Sequence, residues 1–582
     1  MIMKKKYFFL GLSVCALMSA CSEDVLEKTP NVFSSDDAYI NVRLADVGSI
    51  GTRATEGGYE YGTTNEHSVN NAHFYFYDAD GLFVSEGSAW DGGTANSNSP
   101  DEKIEFKGNT IVVLNGLDQK NYPHYMVTLL NKPTGFTAPE TLDKMEKVLV
   151  DGITTTVNNV DYFTMSTSSY VRHTGNAIDA DVKYFVTEVK EENFSLEPID
   201  LESSNYVTVY VERLAAKVTL DLSEDLKNTK TTIEGKNGDF YQITSTVAGD
   251  DNAGSDVATE ELYIQLLGYK LNGTALKSNV VKNIDITWTA DNLDFNWDKY
   301  TDFRSFWGKS YNYGNADFVY TATPNAGKTC PLNYVTLKDG LVDLGISSYC
   351  AENTNTAAIL NQEGNFPAAV TSILLKAKVC DESGNALNLV RFNGILFKQE
   401  QFLSYIINVM NANDKWNVWS KTSGTDSDTY TQLDKAGVEL VSDGNGGVEV
   451  QLKSGLTLYS KSESTESEPT YTEITDQSTV NTQLASLSGS AVGYTGGEMY
   501  YNIPIEHLNP IEDGATDIEE ANYGIVRNHH YVVTVSTLDK LGKGIFNPDE
   551  VVIPEKDDNK TYYIAAQINI LSWKVVEQDV EL

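Results

Sequence analysis

The chain has 582 residues, more than one hydrophobic core ordinarily serves, and 41% of them are hydrophobic, enough for ordinary globular cores. Its 82 acidic residues against 43 basic ones give a formal charge of −39, which excludes nucleic acid as a partner because phosphates need a basic face. The same charge suits an extracellular surface that has to stay dispersed before it assembles.

At the N-terminus Lys4, Lys5 and Lys6 precede the apolar run Tyr7 to Met18. That run is too short to span a bilayer and has the flanks of a secretory signal. It ends in Met18-Ser19-Ala20-Cys21, small residues directly before a cysteine, which resembles the bacterial lipobox. The resemblance implies cleavage after residue 20 and a lipid on the Cys21 thiol. Each buried CH₂ of an acyl chain contributes about 0.8 kcal/mol, so several chains would hold the protein firmly at a membrane. Ser22-Glu23-Asp24 then resembles an export cue of lipoproteins from Bacteroides-like bacteria.

Ala38 to Val47 alternates, with Ile40, Val42 and Leu44 on one face, as a half-buried strand requires. Arg53 follows among small residues, Gly51-Thr52-Arg53-Ala54-Thr55, where a trypsin-like protease can grip an extended chain. On position alone it reads equally well as a surface loop residue.

From there the chain reads as all-β. Short runs rich in Val, Ile, Thr, Tyr and Phe alternate with Gly, Asn, Asp and Ser clusters. Examples are His73 to Tyr77, Thr110 to Leu114, Tyr206 to Val211, Ala216 to Leu220, Ser372 to Val379 and Tyr531 to Val535. This spacing points to β-sandwiches. The clearest helix candidate runs from Ala138 to Leu149, with Pro139 suited to a first turn. The polar stretches 225–260 and 421–500 read as a domain junction and a loop-rich insertion. With Cys15 removed and Cys21 acylated, Cys330, Cys350 and Cys380 remain. Three thiols cannot all pair within one chain, so at least one is expected to be a buried free thiol.

Several motifs are set aside. Ala322 to Thr329 imitates a phosphate loop but has Ala322 where the first Gly belongs. Asp78-Ala79-Asp80-Gly81 is short of ligands for a complete calcium loop and reads as a hairpin turn. His529 and His530 adjoin a strand and point to opposite faces, which disfavours a joint metal site. No HExxH or GxSxG occurs, so an enzyme and a cofactor are not expected.

Four segments carry a family resemblance together. They are Val211-Glu212-Arg213-Leu214-Ala215-Ala216-Lys217-Val218, Glu352-Asn353-Thr354-Asn355, Arg527-Asn528-His529-His530-Tyr531 with Leu541-Gly542-Lys543-Gly544, and the closing run Ile568 to Val576. In this order, behind a lipobox, they resemble the Mfa/FimA-type fimbrillins of Bacteroidales, the major subunits of type V pili. The resemblance implies an all-β fold of two transthyretin-like sandwiches in tandem with few short helices. It implies a signal peptide over 1–20, a propeptide with a blocking strand over 21–53, and sandwiches over 54–230 and 231–582. It also implies maturation at Arg53–Ala54, export to the outer membrane as a lipoprotein, and residence in a surface fimbria that supports adhesion or biofilm formation. The implied partners are neighbouring copies, anchor and tip pilins, and a trypsin-like protease.

The mechanism expected from the strands is donor-strand exchange. Cleavage after Arg53 frees the strand carrying Ile40, Val42 and Leu44 and opens an apolar groove. Near the other end Trp573, Val575, Val576, Val580 and Leu582 supply apolar side chains for a replacement strand. About twelve extended residues at roughly 3.3 Å each reach about 40 Å, enough to lie along a neighbour's domain. Head-to-tail contacts of this kind do not close, so they build filaments. Residues 562–571 are left open between an intramolecular strand and a donated one, and 572–582 are assigned to donation. Two other readings stand beside this one: a tip or accessory adhesin, and a surface lipoprotein that captures glycans without polymerising.

Overall fold

In the computed structural model residues 38–47, 62–93 apart from 64, 104–114, 122–167, 173–174, 177–178, 183–195, 205–249, 257–284, 307–412 apart from 325–326, 418–422, 428–462 apart from 445, 468–507, 517–555, 565–571 and 575–578 are described, and every structural statement below concerns them. Strands dominate and the helices are few and short, as the alternating pattern requires.

The first sheet has nine strands, among them β1 (Ala38–Val47), β2 (Ile104–Leu114) and β3 (Val207–Arg213). The period of two is used on both faces. In strand Val69–Tyr77, Phe74 and Phe76 enter one core with Ile40, Val112, Met126 and Val209. Tyr75 and Tyr77 enter a second core with Val127, Leu129, Leu142 and Met145. A sheet buried on both faces carries bulky residues at successive positions, which is why His73 to Tyr77 is almost continuously aromatic.

Leu214 alone separates β3 from β4 (Ala215–Leu222), and β4 belongs to another sheet. There it lies between Ser347–Ala351, its antiparallel neighbour, and β5 (His530–Thr537), its parallel one. Beyond β5 come β6 (Ala565–Leu571) and, at the edge, β7 (Val575–Gln578). This five-stranded sheet shares a core with an eight-stranded one: Ala216, Val218, Leu220 and Val533 pack with Ile264, Leu375, Met499 and Tyr501. The arrangement is a sandwich of two sheets.

Three details differ from the sequence reading. The stretch 225–260 is not a junction: it holds helix Glu224–Asn228, strand Phe240–Ala248 and the start of strand Val257–Asn272. Its polar residues are the outward positions of the strands, such as exposed Gln242 and Thr244 on either side of buried Ile243. The helix expected over 138–149 shrinks to Leu142–Met145, capped by Thr141 Oγ1, because Leu149–Asp151 leaves to pair with Lys277–Asn279. The stretch 421–500 is not loop-rich: with helices Gln399–Asn411 and Ser478–Ser488 it forms a lobe packed on the eight-stranded sheet, in a core where Phe402, Ile406, Val438, Val450 and Leu484 meet Val390 and Phe397 of that sheet. Short strands with two or three apolar residues each are easily taken for loops.

Candidate functional site

The residues expected to matter fall into two strand positions and one buried seam. β1 is an internal strand of the first sheet. It pairs antiparallel with β2 along its length, from Ala38 opposite Leu114 to Val47 opposite Ile104. On its other side it pairs parallel with β3, Val42 opposite Val207 and Leu44 opposite Val209. Its first residues also meet Phe194–Ser195, Ile40 opposite Phe194. Ile40 is fully buried. Withdrawing such a strand would expose two rows of backbone donors and acceptors and one side of a core. Cys21, Arg53 and Ala54 lie outside the described residues.

At the other end of the chain β6 pairs antiparallel with β5, and β7 turns back on β6, Val575 opposite Leu571 and Gln578 opposite Ile568. β7, which holds Val575 and Val576, therefore forms the edge of the sheet in the single chain. Trp573, Val580 and Leu582 lie outside the described residues. β1 and β7 sit in different sheets, so neither covers the other.

The motif segments converge on the passage from β3 to β4, where charged side chains are buried. Arg213 Nε donates to the Glu66 carbonyl at 2.8 Å, and an Arg213 Nη1 donates to Asn528 Oδ1 at 3.2 Å. Lys217 Nζ lies 3.0 Å from Glu66 Oε1, which also accepts from the Tyr349 hydroxyl at 2.5 Å. Burial works to raise the Glu66 carboxyl, but the Tyr349 hydroxyl, the Thr63 N–H and Lys217 outweigh it and hold it below the usual carboxylate value. Lys282 lies 3.8 Å from Glu212, both buried, and burial pulls the Lys282 ammonium below its usual range.

Arg527 completes the seam. Its Nε donates to Glu352 Oε2 at 3.0 Å and its Nη2 to the Asn279 carbonyl at 2.8 Å. The three residues after Glu352 tie down irregular backbone: Asn353 Nδ2 donates to the Gly273 carbonyl at 3.2 Å, Thr354 Oγ1 to the Gly308 carbonyl at 2.6 Å, and Asn355 Oδ1 accepts from Gly314 N–H at 3.0 Å. Backbone groups buried in a loop need such partners. His529 and His530 diverge, as alternation demands: His529 lies edge-on to His507, with centroids 5.7 Å apart, while His530 Nε2 lies 2.8 Å from Thr219 Oγ1. Two glycines of the neighbouring motif are there for clearance. A Cβ on Gly542 would stand 2.4 Å from the Tyr500 carbonyl oxygen, and one on Gly544 the same distance from that of Gly493.

Sequence reasoning took these segments as strand motifs and missed Glu66, Lys282 and Tyr349. The available signal was Glu212, Arg213 and Lys217 inside an otherwise apolar strand pair, since charges there must find buried partners. Cys330, Cys350 and Cys380 are all free thiols; burial pushes Cys350 up to about 12. Asp78 Oδ1 accepts from the N–H groups of Asp80 and Leu82 at 2.9 Å, closing a hairpin turn. Among the described residues no group of three or more His, Cys, Asp or Glu is placed to hold a metal, and no helix is long and apolar enough to cross a membrane.

Residues 493–579 match the family model described as Major fimbrial subunit protein type IV, Fimbrillin, C-terminal. This stretch holds strand Glu498–Pro504, β5, β6 and β7. No curated protein matches the chain. Among solved structures it is similar to a chain named as a cell adhesion protein from Parabacteroides distasonis, at 11% identity over 93% of this chain and 98% of that one, with a TM-score of 0.35. It is similar to a fimbrilin from Porphyromonas gingivalis at 11% identity, over 93% of this chain and 99% of that one, with a TM-score of 0.31. A third is the tip fimbrial protein Mfa3 from Porphyromonas gingivalis, at 10% identity over 92% and 100%, with a TM-score of 0.31.

Proposed function

We propose, from the match of residues 493–579 to the C-terminal fimbrillin model, that the chain is a structural pilin of a cell-surface fimbria, assembled by donor-strand exchange after proteolysis. The observation that carries this reading is the position of β1: an internal strand of the first sheet, between β2 and β3, that lies ahead of Arg53 in the chain. A cut between Arg53 and Ala54 would leave β1 held by hydrogen bonds and burial alone. Its departure would open a slot that an extended segment from a second copy fits, backbone to backbone, with side chains entering the vacated core.

The segment from 572 onward, with Trp573, Val575, Val576, Val580 and Leu582, is the donor in this scheme. Among the described residues β7 pairs as a strand only with β6, at the edge of the sheet, so it can leave its place without breaking the pairing of β6 with β5. We place the border between the two sandwiches at Leu214, ahead of the residue 230 expected from sequence. Cys21 serves as a temporary export tether to the outer membrane, discarded with residues 21–53 when the subunit joins the fibre. Uncleaved, β1 blocks the slot and keeps subunits apart inside the cell.

The test is to express Arg53→Ala protein in a fibre-forming host and to sequence the N-terminus of fibres from the unaltered chain. Fibres beginning at Ala54, and monomeric Arg53→Ala protein, are the expected results. Normal fibres from the Arg53→Ala protein would show that the strand is not a processing-controlled block.

A further inference from the structure

The lobe between Gln399 and Tyr494 carries a feature that assembly does not use. Four strands, Thr429–Gln432, Val418–Thr422, Leu458–Ser462 and Thr470–Glu473, form an antiparallel blade in that order. Only its base is rooted: Val418 and Leu458 are buried in the lobe's core. The register sorts the rest onto two unlike faces.

One face is aromatic and polar. A row crosses the blade as Gln432, Trp419, Tyr459 and Glu473, each opposite the next. Beside it Tyr430 stands opposite Lys421, and Tyr471 opposite Lys461. The rings of the two edge strands meet: Tyr430 stacks on Tyr471 with centroids 3.9 Å apart and planes 2° apart. Trp419 lies edge-on to Tyr471 at 5.6 Å, and Tyr459 edge-on to Tyr430 at 5.0 Å. All four rings are half-buried. The other face presents hydroxyls, including Thr422, Thr429, Ser462 and Thr470, all exposed.

The aromatic face holds no aliphatic side chain, so it does not resemble the oily patch of an obligate protein contact. It is also close to neutral on a chain of charge −39. Lys421 pairs with Asp428 at 2.5 Å, and Lys461 sits over the Trp419 ring at 5.1 Å with Glu473 in the adjoining row. Such a surface neither gathers cations nor repels an uncharged ligand. Flat rings suit the C–H faces of pyranose sugars, while amide, carboxylate, ammonium and phenol groups between them suit sugar hydroxyls. Mutual stacking holds the rings in place before any ligand arrives, which lowers the ordering cost of binding.

We infer that the aromatic face of this blade is a binding platform for neutral polysaccharide, with Trp419, Tyr430, Tyr459 and Tyr471 as stacking groups and Gln432 and Glu473 as hydrogen-bonding groups. The platform is independent of the fibre assembly proposed above, and a chain that fails to polymerise still tests it.

The experiment is native affinity electrophoresis of the full chain in gels containing a β-glucan, an α-glucan, a galactomannan or an arabinoxylan. At least one is expected to retard the protein. Tyr471→Leu, which keeps apolar bulk but removes the flat ring, is expected to weaken retardation about tenfold, and Thr429→Ala on the opposite face to leave it unchanged. Gln432→Ala removes none of the four rings and is expected to weaken it as well, and an unchanged thermal unfolding midpoint of that variant separates recognition from loss of the lobe's fold. No retardation by any of the four, or retardation untouched by both Tyr471→Leu and Gln432→Ala, overturns the inference.

Discussion

Glu66 shows how much one residue of the seam carries. Its carboxylate takes Lys217, the Tyr349 hydroxyl and the Thr63 N–H, and its carbonyl takes Arg213. It thereby joins the turn that precedes strand Val69–Tyr77 to β3, β4 and strand Ser347–Ala351. Leaving one buried partner of such a group unpaired costs about 3–5 kcal/mol, so the seam is a joint that resists being taken apart piecemeal. Its pH dependence has a definite sign. The folded carboxyl titrates below the usual 4.5, so its stabilisation is complete above that value and is lost as pH falls through the lower folded one. Thermal unfolding followed from pH 6 downward is expected to show a falling midpoint in that window. In Glu66→Gln protein the acid limb is expected to be shallower and the midpoint at pH 6 lower. An unchanged acid limb in that variant would remove Glu66 from the account.

At the scale of elements, the two strand positions have opposite surroundings. β1 has neighbours on both sides, whereas β7 has one. A strand with neighbours on both sides stabilises its sheet from inside; an edge strand contributes less and leaves more readily. Deleting 573–582 is therefore expected to leave a folded monomer with nearly unchanged urea unfolding, while abolishing fibres seen by electron microscopy. Persistent fibres would remove the donor role from this segment. The alternation of Ile40, Val42 and Leu44 was legible in the sequence because a half-buried strand writes its period directly. That β1 runs parallel to β3 was not, because the pairing joins residues more than a hundred positions apart, and no local pattern records which distant strand lies alongside.

For the whole molecule, the charge of −39 and the aromatic blade act in different regimes. Long-range repulsion slows the encounter of two like-charged subunits, and salt screens it: the Debye length falls from ~30 Å at 0.01 M to ~8 Å at 0.15 M. Matured subunits are expected to polymerise faster over that range, followed by light scattering, with fibre morphology unchanged. Slower assembly in added salt would mean that specific ion pairs rather than net charge control the encounter.

Composition and local pattern by themselves determined the all-β class, the excess of acidic residues, the alternation of β1 and the segments that resemble fimbrillins, because each is written in neighbouring residues. The tertiary structure alone decided that Glu212, Arg213, Lys217, Glu352 and Arg527 form one buried seam, that the chain changes sheets at Leu214, and that 421–500 folds into a lobe with an aromatic blade. Burial and long-range pairing make those assignments, and both depend on which parts of the chain the fold brings together.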